Sequence, residues 1–591
     1  MFAAAGAAPF HLQPTMTGKT PKTFRCGDLL VDCGNFRVHK SGKLRTLSPL
    51  AFDVLVLLIE QQGSLVTKQE LFDTVWNETF VTDNALTRVI KEIRQAIGDE
   101  AYKPRYIETV PKRGYRFVAD VAPVETAFMP DTQPNLPTMA VLPFKIFASE
   151  DDEYLGLGMA DALITRLSNV GQLIVRPTSA VLRYSRSDQD SAAIGRELRT
   201  EFVLEGTIRK SNELLRTTAQ LIGVADGRLL WASRFDERLA DIFSVEDSIC
   251  EKVANALSLA LTGAERKLLT KRYTTDADAF ESYLKGRFFA NKFTLENFRK
   301  AIAAFDRALE FDPDFALAYA GIAEAFWNAA DTFLNPREAM EKSKAAALKA
   351  VAADDSLAEG HAFLACAKYS LDWDWVGLEQ EYRRAIELNP GFAQSYQWFG
   401  WCLSVMGRHD EAIAALCRAK QLDPFSLGAN WFLSSVYDIA RRYDEAIEQA
   451  ETLIDLEPNF WGGHWALGRT YADQEDYSRA IAAYEKAAAL GTSTWIKGSL
   501  AEAHALNGEE GQARLLLGEL QAQERDGYVP GFFLALIHLA LGEDDEAFDS
   551  LEKAYQQHDS GLPLINVYKP FDRVRNDPRL LDLIKKIGLQ S

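Results

Sequence analysis

A period of 34 residues in the C-terminal half constrains the fold of this 591-residue chain more than any other feature. Two sets of residues recur at that interval: Pro390, Pro424 and Pro458, and Ala412, Ala446 and Ala480. The surrounding sequence is rich in Ala, Leu and Tyr at helical spacing. A repeat of this length holds two helices and a turn, with small residues where the helices cross and proline at the exit. Residues 276–591 are therefore predicted to form an all-α array of about seven to eight helical pairs.

This spacing is typical of the tetratricopeptide repeat. A single unit cannot bury its own apolar face, so the units are expected to stack into a superhelix with a concave groove. Aromatic residues are dense here: Trp373, Trp375, Tyr396, Trp398, Trp401, Trp431, Trp461 and Trp465. Most are expected to pack between helices, and any others would line the groove and bind a protein or peptide ligand. A small-ligand site between the helices is a weaker alternative, because the sequence shows no charged or metal-binding constellation there.

Residues 138–262 mix strand-like and helix-like patterns, which predicts a small α/β domain. The predicted strands cover 139–144, 173–175, 202–208, 214–224 and 229–235, and the predicted helices cover 154–167 and 242–261. The segments V-L-P-F, G-M-A-D-A-L, V-L-E-G-T-I-R and L-W-A-S-R-F-D resemble the TolB-like (FlgO-like) domain. That resemblance assigns no chemistry to the domain.

Two segments are expected to lack regular structure. Residues 123–137 contain four prolines, which resist both helix and sheet, and are predicted to form a linker. Residues 1–22 are rich in Ala, Thr and Pro and lack the pattern of a signal peptide, so they are predicted to be a disordered tail.

Between these segments, residues 23–122 are predicted to form an α+β domain whose third helix carries the functional signal. This helix begins near Asp83, and its apolar stripe consists of Leu86, Ile90, Ile93 and Ile97. Because the stripe must face the core, four polar side chains are placed on the solvent side: Thr87, Arg88, Lys91 and Arg94. Three cations and a hydroxyl on one helix face suit entry into the major groove of DNA.

A hairpin with the basic tip Pro111-Lys112-Arg113-Gly114 follows. The sequence RYIETVPKRGYRF, residues 105–117, resembles the wing of the OmpR/PhoB-type winged helix-turn-helix effector domain. The resemblance implies that the third helix faces the major groove, that Arg113 reaches the adjacent minor groove, and that Asn84 lies near a phosphate. It also implies that the loop at 77–82 matches a segment that contacts RNA polymerase in some relatives. The expected DNA contacts are Asn84, Thr87, Arg88, Lys91, Arg94, Lys112, Arg113 and Tyr115.

The order of the domains resembles the CadC/ToxR/HilA group, in which an N-terminal effector precedes a large C-terminal extension. Only about 22 residues precede the effector, so no phospho-receiver is expected. No membrane span is predicted, which brings the layout closer to HilA.

The overall composition agrees with a cytoplasmic regulator of this kind. A net charge of −19 argues against a chain that coats nucleic acid along its length, but it permits one basic domain on an acidic body. No catalytic residue, cofactor or metal site is predicted, because the six cysteines include no C-x-x-C pair and no phosphate-loop or dinucleotide motif is present.

We therefore predict a sequence-specific transcription regulator that binds double-stranded DNA and is controlled through protein partners or homo-oligomer formation. The alternative is a repeat-based scaffold or adaptor whose winged helix contacts protein. A nucleotide-cyclase-like enzyme is a third alternative, suggested only because TolB-like domains often follow a cyclase domain.

Overall fold

The computed structural model describes residues 23–26, 29–32, 37–40, 43–45, 47, 49–75, 83–99, 102–110, 113–119, 121–123, 136–147, 152–185, 187, 189–211, 214–238, 242–259, 261–292, 294–330, 334–526 and 528–589. The chain divides into two compact units, residues 1–133 and residues 134–591. The predicted disordered tail lies outside the described residues, and so do residues 124–135 of the predicted linker.

The first unit is a winged helix. Its elements are β1 (Thr23–Cys26), β2 (Leu29–Asp32), β3 (Arg37–Lys40), β4 (Lys43–Arg45), α1 (Pro49–Glu60), β5 (Leu65–Thr67), α2 (Lys68–Val75), α3 (Asp83–Ile97), β6 (Ile107–Val110), β7 (Gly114–Phe117) and β8 (Ala122–Pro123). One antiparallel sheet has the order β4-β3-β2-β1-β8, and a second has the order β5-β7-β6. The predicted α+β fold is confirmed, with a third helix that begins at Asp83 and a hairpin that follows it.

Local sequence signals explain where these helices begin and end. At the start of α2, the Thr67 hydroxyl accepts from the Glu70 backbone N–H (3.2 Å), and the Glu70 carboxylate accepts from the Thr67 N–H (2.7 Å), which together form a capping box. Gly98 ends α3 with φ +64°, a conformation that glycine adopts without strain. Asp99 then accepts from the backbone N–H groups of Arg105 and Ile107, which fixes β6 against the end of α3.

The second unit begins with the predicted α/β domain, which we call the middle domain. Its elements are β9 (Thr138–Val141), β10 (Lys145–Phe147), α4 (Tyr154–Ser168), β11 (Ile174–Val175), α5 (Thr178–Val181), α6 (Ser191–Glu197), β12 (Phe202–Ser211), β13 (Leu214–Gly223), β14 (Leu229–Arg238), α7 (Ile242–Ala256) and α8 (Gly263–Leu269). The sheet has the order β11-β9-β12-β13-β14, and β10 also pairs with β12. β9 runs parallel to both neighbours, whereas β12, β13 and β14 form an antiparallel meander.

Eight helical pairs follow in the described part of residues 277–557. The pairs are α9 (Ala277–Ala290) with α10 (Leu295–Phe311), α11 (Ala316–Ala329) with α12 (Pro336–Ala353), α13 (Ala358–Ala367) with α14 (Trp375–Leu388), α15 (Ala393–Val405) with α16 (His409–Leu422), α17 (Leu427–Ile439) with α18 (Tyr443–Leu456), α19 (Trp461–Asp473) with α20 (Tyr477–Leu490), α21 (Thr494–Leu506) with α22 (Glu510–Asp526), and α23 (Gly531–Leu541) with α24 (Asp544–Gln557). A last helix, α25 (Pro578–Lys586), follows two short 3₁₀ turns at Leu562–Asn566 and Lys569–Val574.

The periodic residues have the roles that the spacing predicts. Ala412, Ala446 and Ala480 are fully buried. Pro390 and Pro424 lie in the turns directly after α14 and α16. Small residues let the helices approach closely: a Cβ added at Gly400 would lie 3.0 Å from the Ala412 carbonyl oxygen, which is too near for ordinary packing.

Residues 558–589, which we call the C-terminal segment, fold back onto the early repeats. The Trp375 indole N–H donates to the Ile587 carbonyl (2.7 Å), and the Tyr369 hydroxyl donates to the Ser560 carbonyl (3.1 Å). Trp373 stacks on His558, with ring centroids 4.7 Å apart. The array therefore makes contacts between segments about 190–210 residues apart, in addition to those between neighbouring repeats.

Several tryptophans of the array pack against other aromatic rings. Trp431 lies within 6 Å of Trp461, Trp465 and Trp495, and Phe532 packs against Phe571 of the C-terminal segment. The C-terminal segment thus covers part of the aromatic surface that was predicted to pack or to bind a ligand. None of the helices in the described ranges combines the length and the apolar character that a bilayer crossing requires.

Candidate nucleic-acid interface

The exposed face of α3 carries three of the predicted DNA contacts. Leu86, Ile90, Ile93 and Ile97 are buried on one side, as predicted. Thr87, Arg88 and Lys91 are exposed on the other. In the described part of the chain, Arg88 and Lys91 have no ion-pair partner, so the charges on this face are available to an outside partner.

The wing tip supplies a fourth exposed residue, Arg113, just before β7. Its carbonyl accepts from the Lys68 backbone N–H (3.1 Å), which ties the tip to the start of α2. A side chain at Gly114 would collide with the carbonyl oxygen of Val66, so the close approach of β5 requires glycine here. The backbone therefore holds Arg113 at a fixed place beside the helices.

Arg94 is placed differently from its neighbours on α3. Its guanidinium donates to the Ile107 carbonyl (2.7 Å) and to the Thr109 hydroxyl (3.0 Å), and its side chain is 13 % exposed. Arg94 thus connects α3 to β6 of the wing. The sequence held a signal for this position, because Arg94 follows Ile90 by four residues and precedes Ile97 by three, beside the apolar stripe.

Tyr115 also has an internal position. Its side chain is 6 % exposed and belongs to the core that contains Phe117, two residues further along β7. The ring supports the wing from inside. The Asn84 side chain, Lys112 and the loop at 77–82 lie outside the described residues.

Comparison with protein families agrees with this geometry. Residues 42–117 match the family described as transcriptional regulatory protein, C terminal. Residues 135–252 match the second domain of HilA/YgeH-like transcriptional regulators, and residues 381–414 and 437–493 match tetratricopeptide repeats. The chain carries an OmpR/PhoB-type winged-helix domain, a HilA-like second domain and tetratricopeptide repeats.

Curated relatives share parts of this arrangement. The transcriptional regulator HilA of Salmonella typhimurium is 25 % identical over 387 residues, which cover 65 % of this chain and 68 % of HilA. The putative adenylate cyclase 3 of Rhizobium meliloti is 32 % identical over 252 residues, which cover 41 % of this chain and 42 % of the cyclase. The chain thus matches less than half of the cyclase's length.

A solved structure, the DNA-binding domain of Escherichia coli CadC, is 33 % identical to the OmpR/PhoB-type domain. The match covers 17 % of this chain and 95 % of the CadC structure, and the TM-score is 0.16.

Proposed function

We propose that this chain is a sequence-specific transcription regulator that binds double-stranded DNA through α3 and the wing. The observation that carries the proposal is the exposed basic face of α3, where Arg88 and Lys91 have no ion-pair partner among the described residues, beside the exposed wing residue Arg113. Exposed cations on a helix that fits the major groove are suited to base and phosphate contacts.

The predicted contacts have two kinds of role within this proposal. Thr87, Arg88 and Lys91 would face the major groove, Arg113 the minor groove, and Asn84 and Lys112 the phosphates. Arg94 and Tyr115 would act by holding the helix and the wing in position, since both are engaged within the domain. Contact of the loop at 77–82 with RNA polymerase is part of the same proposal.

The second unit is proposed to control this activity through protein partners or self-association. The middle domain and the repeats form one compact unit, so a ligand or partner of either would act on both. The proposal assigns no catalytic reaction, because the match to the regulator HilA covers a larger share of that relative (68 %) than the match to the cyclase (42 %).

The proposal is tested by selecting DNA sites from a random duplex library with the full chain. Arg88→Ala and Lys91→Ala should each weaken binding to the selected site by about 1–3 kcal/mol, because each removes a groove-facing cation. Gln61→Ala, at an exposed position in the turn after α1, is the control and should bind as the wild type does.

The proposal would be contradicted if the selection enriches no common sequence. It would also be contradicted if Arg88→Ala and Lys91→Ala both bind the selected site with wild-type affinity. Genome-wide immunoprecipitation that recovers a stable protein complex but no discrete promoter sites would favour the scaffold alternative.

A further inference from the structure

A cavity of about 560 Å³ lies between the middle domain and the first repeats, inside the second unit. One wall comes from α4 and from α5 with the residues that follow it. The other wall comes from α9, α11, α13 and α15. This volume is in the range of small-molecule sites, which are commonly found between domains.

Carboxylates outnumber cations in the lining of the cavity: the carboxylates are Asp161, Glu324, Glu359, Asp423 and Glu457, and the cations are Arg183 and Arg287. Arg287 of α9 forms ion pairs with Asp161 of α4 (3.0 Å) and with Glu324 of α11, so two carboxylates already share one guanidinium. Asp161 is 3 % exposed and also accepts from the Thr178 hydroxyl (2.6 Å). These bonds join the middle domain to two repeats within the lining of the cavity.

Glu359 adds a further negative charge to this group. It lies in the first turn of α13 and lines the cavity. Among the described residues, no other side chain donates to its carboxylate, which accepts only from its own backbone N–H. Burial raises the pKa of Glu359, and the charges of Glu324 and Asp161 raise it further, while Arg287 opposes them. Glu359 is partly buried, and a carboxylate with this surrounding negative charge is stabilised by a cation.

An aromatic surface lies in the same cavity. The indole rings of Trp327 and Trp398 meet edge to face, with centroids 4.9 Å apart and planes at 88°. Both rings line the cavity together with Phe363. Indole faces attract cations and also cover apolar groups.

We propose that this cavity binds a small organic cation, with an ammonium or guanidinium group beside Glu359 and an apolar body against Trp327 and Trp398. The charge excess selects a cation, the indoles select an apolar body, and the volume suits a small molecule more than a folded partner. Because residues of the middle domain and of the repeats line the site together, the bound ligand would hold these two parts in one arrangement. The site lies in the second unit, and its binding test is independent of DNA binding.

The test is isothermal titration calorimetry on the full chain with three probes of one shape: phenethylammonium, phenethyl alcohol and 3-phenylpropionate. We expect saturable binding of the ammonium, with the alcohol and the carboxylate at least about tenfold weaker, which corresponds to about 1.4 kcal/mol. Equal binding of the three probes, or no saturable binding of the ammonium, would overturn the proposal. This comparison needs no variant, so it decides the matter even if a substituted chain fails to fold.

Two variants then place the ligand. Glu359→Gln keeps the shape and removes the charge, and should weaken phenethylammonium binding at least about tenfold. Glu338→Gln is the matched control, since Glu338 lies in the first turn of the neighbouring α12 but is exposed outside the cavity. Equal affinity of wild type and Glu359→Gln would overturn the assignment. The assignment would also be overturned if a lysine-containing peptide with an acetylated N-terminus and an amidated C-terminus binds while phenethylammonium does not bind.

Discussion

Asp438 on α17 is a buried carboxyl group in an unfavourable place. It is 3 % exposed, and neither of its oxygens has a hydrogen-bond donor among the described residues. Burial raises the pKa of Asp438 well above its usual range, and the charge of Asp473 raises it further, although Arg469 opposes them. At a pH between the unfolded-state and the folded-state pKa of Asp438, the folded chain therefore holds a proton that the unfolded chain does not. It follows that this group contributes stability at low pH which is lost as the pH rises through the folded-state pKa.

Asp438→Asn should therefore stabilise the protein above neutral pH. The neutral amide needs no proton and can donate to Asp473, so we expect the free energy of unfolding at pH 8.5 to rise by about 1 kcal/mol. The loss of stability between pH 6 and pH 8.5 should also become smaller. Urea unfolding of the full chain at both pH values measures this. Asp455→Asn, at an exposed position on α18, is the control, and a variant less stable than wild type at pH 8.5 would contradict the expectation.

Single residues of the interface show what a sequence pattern can and cannot predict. The period of α3 correctly separates Leu86 and Ile90 from Arg88 and Lys91. The period does not predict that Arg94 donates to the backbone carbonyl of Ile107 on β6, because every residue has a backbone carbonyl and the sequence does not show which one lies nearby. Tyr115 was predicted as a DNA contact from the wing resemblance, but strand alternation places it on the same face as the buried Phe117.

At the scale of elements, Arg176 connects the middle domain to the repeats. It follows β11, and its buried guanidinium donates to the carbonyls of Leu198 (3.0 Å), Arg199 (2.8 Å), Gln421 (3.1 Å) and Leu422 (2.7 Å). The last two carbonyls belong to the C-terminal turn of α16, where a positive charge is favourable. Burial lowers the pKa of Arg176 to about 10, which keeps it charged at neutral pH.

Arg176→Met should leave these buried carbonyls without their donor and lower the free energy of unfolding of the second unit by about 3 kcal/mol or more. We expect calorimetry of the full chain to show an additional transition at lower temperature, as the middle domain separates from the repeats. Arg196→Met, at an exposed position on α6 of the same domain, should leave the transitions unchanged. Equal effects of the two substitutions would show that Arg176 does not carry this contact.

The elements themselves were largely predictable, whereas their contacts were not. The 34-residue period predicts the helical pairs because each pair repeats the same local packing. Arg176 and Gln421 are 245 residues apart and meet through a side chain and a backbone carbonyl, so no periodicity connects them. The cavity charges were missed for the same reason, since Asp161 and Arg287 come from different domains.

At the scale of the whole second unit, closure of the array changes how the protein should unfold. In an open stack of repeats each unit contacts only its neighbours, so local unfolding at one end does not spread to the other end. Here the C-terminal segment contacts the start of α14 through Trp375 and the turn before it through Tyr369. It also contacts the later repeats, since the Arg441 guanidinium pairs with Asp572 (2.6 Å).

Phe571→Ala tests this closure, because Phe571 of the C-terminal segment is fully buried and packs against Phe532 of α23. The cavity should cost about 3–5 kcal/mol and loosen the whole segment. Hydrogen exchange followed by mass spectrometry should then show lost protection at residues 368–375 as well as at 559–589, although the two regions are almost 200 residues apart. Leu581→Ala, at an exposed position on α25, should change neither region. If protection is lost only beyond residue 531, the array behaves as an open stack, and the contacts of Trp375 and Tyr369 do not couple its ends.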